Sequence, residues 1–271
     1  MNFLFIFYFI GLIFAIYQDF TRREIDDWLN LFLFFSGIFF LSVFSNLFTN
    51  AGNLVSFGFF TFVVSLLSLA FYYGRFFSGG DSKLFFALSP ILFNFILDVS
   101  FLNLIYFVIF LFVGGSAYSL IYSSILFASD FKKEKIFFIK ELKKKYNLIL
   151  LVLGVIFLLL GLLEKTFLLF GFLIFLFVFL FCMAKSLEEV SMKRSMNTKD
   201  LREGDWLFSD VKVGKKLFRK SWDGLSSEDI RYLKKFNKKV FIKDGIPYAP
   251  SFLFAIVLFE FRSYLIGILF S

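Results

Sequence analysis

The sequence predicts an all-α polytopic membrane protein of about eight transmembrane helices, with a small mixed α/β domain on one side of the membrane. Three observations lead there. Apolar residues make up 59% of the 271, and the mean hydropathy is +0.81, above the roughly 45–50% apolar content of soluble domains. The apolar residues are gathered into runs near the ~20 residues that cross a bilayer. The basic residues fall between those runs in a one-sided pattern.

The elements follow in order. Asn2–Tyr17 is a first span. It lacks a basic leading region and a small-residue cleavage site, and the first positive charges follow it, so it reads as uncleaved with its N-terminus outside. The polar stretch Asp19–Asp27 comes next, then spans at Trp28–Phe48, Leu54–Tyr73, Leu84–Leu97 and Phe101–Ala128. The Lys-rich Ser129–Asn147 predicts an interfacial amphipathic segment drawn to anionic lipid. The 37 residues Leu148–Ala184 would make a helix about 55 Å long, too long for one crossing. They predict a hairpin turning at Glu164-Lys165. A polar stretch, Lys185–Gly245, precedes a last run from Pro250 to Phe270.

Positive charge tests the count, because each span changes sides. With the N-terminus outside, the inner segments Gln18–Asp27, Gly74–Lys83, Ser129–Asn147 and Lys185–Ala249 hold 27 of the 29 Lys and Arg residues. Only Lys165 and Arg262 fall elsewhere, and the outer loops Asn46–Asn53 and Asp98–Ser100 hold none. The net charge of +8 is thus assigned to the cytoplasmic face, and no nucleic-acid partner is expected. Glu260 and Arg262 lie within the last run on different helix faces.

The domain division expected is 1–184 as a transmembrane catalytic helical domain, 185–249 as a small cytoplasmic domain and 250–271 as a C-terminal transmembrane helix. Within the insert, Asp205–Val213 alternates as a half-buried strand does, and Lys216–Trp222 can pair with it after the turn at Val213–Lys215. Ser226, with Asp229 three residues on, predicts an N-cap opening a helix. Lys238–Lys243 reads as another strand.

The composition also limits the chemistry. With no His and one Cys, Cys182, there is no Ser-His or Cys-His pair, no His- or Cys-cluster metal site and no internal disulfide. Acid–base work falls to carboxylates, Lys or Tyr. The 49 Phe residues reflect coding bias and lipid packing. Cys182, in an apolar run, reads as filler.

Ionisable groups at span boundaries are costly and invite a functional reading. Asp19 closes the first span and Asp81 opens the fourth, within FFSGGDSKLF (Phe76–Phe85). The topology puts both at one face. Two carboxylates brought close resist joint ionisation and share a proton, which suits them to activate water and polarise a carbonyl. Gly79 and Gly80 would let the backbone turn into the helix and approach an extended peptide. Taken singly, each aspartate also fits a plain helix boundary. Glu24, Asp26 and Asp27 form an acidic cluster that either attracts a basic peptide or pairs locally with Arg22 and Arg23. Lys83 either acts on Asp81 by its charge or extends to the headgroups.

DFTRREIDDWLN after the first span, with GGDSKLFFAL opening a later one, resembles the type IV prepilin peptidases, membrane aspartic proteases with a Gly-x-Gly-Asp motif. Gly224–Ala255 resembles their archaeal branch, the preflagellin peptidases. The resemblance implies that Asp19 and Asp81 are the catalytic pair, that Gly79, Gly80 and Lys83 support the motif, and that no cofactor or metal is used. Ser78 stands where the motif has its first Gly. The resemblance also implies six spans, the smaller alternative to the eight counted. It implies precursor pilins or archaellins as substrates, cut at the cytoplasmic face between a short basic leader and a hydrophobic helix. Glu24, Asp26 and Asp27 would then meet the leader. No paired-Cys region is present, so methyl transfer is not expected. Competing readings are an intramembrane protease of the presenilin or signal-peptide-peptidase type, from which the chain departs in having Gln18 before Asp19 and no Pro-Ala-Leu, a non-catalytic membrane protein, or a carboxylate-dependent transporter.

Overall fold

A computed structural model of the chain describes residues 3–44, 47–95, 101–214, 216–221, 224–236 and 238–261. Its contacts gather the chain into two compact units, Met1–Leu120 with Ile246–Ser271, and Ile121–Gly245.

The first unit is helical: α1 (Phe3–Arg22), α2 (Asp27–Phe44), α3 (Ala51–Tyr73), α4 (Gly79–Ala87), α5 (Ser89–Phe95), the first part of α6 (Phe101–Ser129), and α11 (Ala249–Glu260), labelled in chain order. Along α2, Leu29, Leu33, Gly37 and Leu41 recur every four residues and are buried, while Phe32, Phe35 and Phe39 on the other side are exposed. One stripe meets protein and the rest meets hydrocarbon, so the helix is apolar all round. The core joins Leu12, Leu33, Leu84, Phe85, Phe107 and Phe252. Tyr8 lies fully inside it, and its hydroxyl donates to the Leu33 carbonyl at 2.8 Å.

Eight spans are not supported. Among the described residues, four helices are long and apolar enough to cross a membrane: Asp27–Phe44, Ala51–Tyr73, Leu104–Ser129 and Thr166–Glu189. The expected span Leu84–Leu97 is broken into α4 and α5 of nine and seven residues. Pro90 accounts for the break, because it has no N–H to offer Phe86 and its ring crowds the carbonyl four residues back. The first half of the hairpin is α8 (Lys145–Leu160), only 16 residues. Within the last run only α11 is described. The rest of that run, Arg262, Asp98–Ser100, Lys215 and Trp222 lie outside the described residues.

The second unit holds the end of α6, then α7 (Phe131–Leu142), α8, α9 (Thr166–Glu189) and a small strand-containing region. The hairpin turns between Leu160 and Thr166, around the expected Glu164-Lys165. Phe157 packs on Phe167 and Phe170 across it, with ring centroids 5.9 and 6.1 Å apart. In the small region β5 (Lys239–Lys243) pairs antiparallel with β1 (Lys193–Asn197) on one side and β2 (Trp206–Leu207) on the other. A separate hairpin joins β3 (Val211–Val213) to β4 (Lys216–Phe218). Ser226 caps α10 (Ser227–Leu233) as expected, accepting from the Asp229 N–H. The core of this region is Leu207, Val213, Phe218, Leu233, Val240 and Ile242.

The strand expected over Asp205–Val213 is two short strands. Asp210 lies between them and accepts the Lys220 backbone N–H at 2.7 Å, a side-chain bond that competes with continued pairing. β1 was not anticipated. Its sequence, KRSMN, has no apolar alternation, and it is a strand because β5 has an edge for it to pair with.

Candidate active site

Asp19 lies in the last turn of α1, one residue after Gln18, and is buried with 8% of its surface exposed. Its Oδ2 accepts the backbone N–H of Ala249 at 2.9 Å, the first residue of α11. The early N–H groups of a helix have no partner inside it, and the helix dipole favours an anion there. Pro250, the next residue, has no N–H to give. The chain thus aims one donor at a carboxylate 230 positions away in sequence.

Asp81 is the third residue of α4 and is buried to 6% exposure. Ser78 holds it by a capping box. The Ser78 hydroxyl donates to Asp81 Oδ2 at 2.7 Å, the Ser78 N–H donates to the same oxygen at 3.1 Å, and the Asp81 N–H donates to Ser78 Oγ at 3.3 Å. The residue that departs from the Gly-x-Gly-Asp pattern therefore orients the aspartate. Its signal, Ser-x-x-Asp at a helix start, is present in the sequence at the position where the Gly-x-Gly-Asp pattern has a glycine.

The two carboxyls lie within electrostatic reach of each other, and the charge of Asp81 also reaches the Tyr248 hydroxyl. Tyr248 directly precedes Ala249, so the start of α11 bonds Asp19 through Ala249 and feels the charge of Asp81 at Tyr248. The Tyr248 ring packs 5.5 Å from that of Phe77, which precedes Ser78. Nothing in the sequence pattern singled out Tyr248 or Ala249.

Gly80 packs against the loop after α1. A Cβ there would sit 3.4 Å from the Ile25 nitrogen and 3.7 Å from its Cβ. The bare glycine face is occupied by the loop after α1, which draws the Asp19 and Asp81 segments together. Gly79 is less constrained, with the Tyr72 ring 3.8 Å from where a Cβ would stand.

That loop is folded tightly on itself. Arg23 takes the left-handed conformation at φ 57° as its N–H closes on the Asp19 carbonyl at 3.0 Å. Gln18 then makes two bonds to Asp26, accepting its N–H and donating to its carboxylate, both at 3.0 Å. Trp28 and Arg22 donate to the same carboxylate oxygen at 3.0 and 3.4 Å. Asp27 pairs with Lys83 at 2.6 Å. Of the acidic cluster, Asp26 and Asp27 are therefore engaged within the protein, and Glu24 is exposed on the same loop. Lys83 is directed to Asp27. Both partners are well exposed, so this ion pair contributes at most about 1 kcal/mol. Among the described residues no group of three or more His, Cys, Asp or Glu side chains could hold a metal ion.

Fold and site together define a multi-pass helical membrane protein with two buried carboxylates within electrostatic reach of each other, one bonded to the N-terminus of α11 and the other held by its own helix cap. Residues 6–126 match the model of the type IV leader peptidase family, and that matched segment carries both Asp19 and Asp81. Neither the curated proteins nor the solved structures contain a match to the chain.

Proposed function

We propose that the protein is a membrane aspartic endopeptidase that removes the short basic leader from type IV pilin-like or archaellin precursors at the cytoplasmic face of the cell membrane. Asp19 and Asp81 are the catalytic pair in this reading. The single observation that carries it is that two buried carboxyls, 62 positions apart in sequence, come within reach of each other beside α11. Buried like charges at short range hold one proton between them. The ionised member takes a proton from water while the protonated member polarises the scissile carbonyl. The Ala249 N–H stabilises charge on Asp19, and Ser78 keeps Asp81 from rotating away.

In this reading the acidic cluster Glu24, Asp26 and Asp27, on the loop that follows Asp19, meets the basic leader. The test is co-expression of enzyme and precursor, with leader loss followed by gel shift. Asp19→Asn and Asp81→Asn, each checked for membrane insertion, are expected to leave the precursor uncut. Processing by either variant would overturn the assignment.

A further inference from the structure

Helix α7 uses one of its faces to dock on α9. The carboxylate of Glu134, fully buried, accepts from the Ser186 hydroxyl and from Ser191 at 2.6 Å, and Ser186 bonds the Glu134 carbonyl at 2.7 Å. Turned by about 100° from that face, α7 borders an open groove of about 270 Å³ lined by Phe127, Phe131, Lys135, Phe138, Ile139 and Phe179. Its walls are rings in edge contact. Phe127 meets Phe131 and Phe138 at centroid distances of 5.9 Å, and Phe138 meets Phe179 at 5.7 Å. Lys135 adds a methylene stem to this hydrocarbon slot and leaves its ammonium at the lip.

The charges around the groove are unevenly used. Lys133 pairs with Asp130 at 3.6 Å, Lys144 pairs with Glu141 at 2.6 Å, and Lys140 lies over the Phe137 ring. Lys135 and Lys132, one turn apart on α7, have no ion pair among the described residues. Glu134, between them in sequence, is turned inward. An apolar partner helix would fill the slot but leave two ammonium groups against hydrocarbon. A free phosphate would meet the ammonium groups and leave the slot empty. A single molecule with an acyl chain and an anionic phosphate satisfies both.

We propose that the α7 groove binds an anionic phospholipid, with an acyl chain lying along the wall formed by Phe127, Phe138 and Phe179 and the headgroup phosphate on Lys132 and Lys135. The full chain, purified in detergent, would be titrated with phosphatidylglycerol, phosphatidylcholine or glycerol phosphate and the complexes counted by native mass spectrometry. A lysine near a membrane phosphate is worth roughly fivefold in affinity, so phosphatidylglycerol should bind about 30-fold more tightly than phosphatidylcholine. K132E/K135E should abolish that preference. K143E/K145E, the same charge change off the groove, should keep it. Ile139→Trp, which narrows the slot, should weaken both lipids alike. Equal binding of the two lipids, or loss of preference in K143E/K145E, would overturn the site in favour of diffuse attraction. Competition by glycerol phosphate as effective as the lipid, or Ile139→Trp without effect, would overturn the acyl-chain slot.

Discussion

The chain uses the same four-residue device twice, and the two copies end in different chemistry. Ser78-Gly-Gly-Asp81 opens α4 and Ser226-Ser-Glu-Asp229 opens α10, each with the serine oxygen accepting the aspartate N–H and the serine hydroxyl donating to the carboxylate. In α10 the carboxylate is only half-buried and takes a cation, Lys216, at 2.7 Å, which holds its pKa below the ordinary value. In α4 the carboxylate is buried, and the lysine two residues on, Lys83, is drawn to Asp27 instead. Asp81 faces a second carboxyl. A helix cap is thus a local solution to unpaired N–H groups; the burial and the neighbouring charge decide whether its carboxylate is a fastening or a reactive group.

The largest effect should separate the two aspartates. Asp81→Asn is expected to reduce precursor cleavage by at least about 10²-fold, the scale of a lost general acid or base, whereas Asp229→Asn leaves cleavage unchanged in the same assay. Equal losses would mean that both are only caps. The serines come next. Each Ser→Ala change should cost about 1 kcal/mol of stability, read from thermal unfolding. Ser78→Ala alone should also slow turnover by about tenfold, with recovery in Ser78→Thr, which keeps the hydroxyl.

The glycines give a smaller contrast. Gly80→Ala puts a methyl group 3.4 Å from the Ile25 nitrogen, which uses up the space between α4 and the loop after Asp19. A several-fold loss of turnover is expected from misplacing the pair, and Gly79→Ala, with room around it, should cost little. The smallest effect is one of pH. The Lys216 ammonium beside Asp229 lowers its carboxyl below the ordinary 3.8, aided by the Ser226 hydroxyl and opposed by burial. That stabilisation is fully present above 3.8 and is lost as pH falls through the lower folded value. The protection factors of the Ile230–Leu233 amides, taken relative to the intrinsic exchange rate at each pH, should fall on acidification over that window in the wild type, and Asp229→Asn should remove this dependence.

Much of the site was legible, because its signals are local or additive. Asp19 and Asp81 stand out as carboxylates at the ends of apolar runs, and the charge pattern leads to the expectation that both lie at one face. The Ser226 cap and the β3–β4 and β5 segments also follow from neighbours in sequence. The number of spans did not follow. Hydropathy sums over a window and does not register that one Pro90 divides Leu84–Leu97 into pieces too short to cross.

Residue types and their order determined that the chain is a helical membrane protein, that acid–base chemistry would fall to carboxylates, Lys or Tyr, and that Asp19 and Asp81 are the pair to examine. These follow from transfer energies and charge, which each residue carries with it. Tertiary structure alone decided which group each charge meets: Lys83 with Asp27, Asp19 with the Ala249 N–H, the bare face of Gly80 with Ile25, and Glu134 with the two serines. Such partners lie far apart in the chain, and their interactions depend on distances of a few ångströms that only the packed helices set.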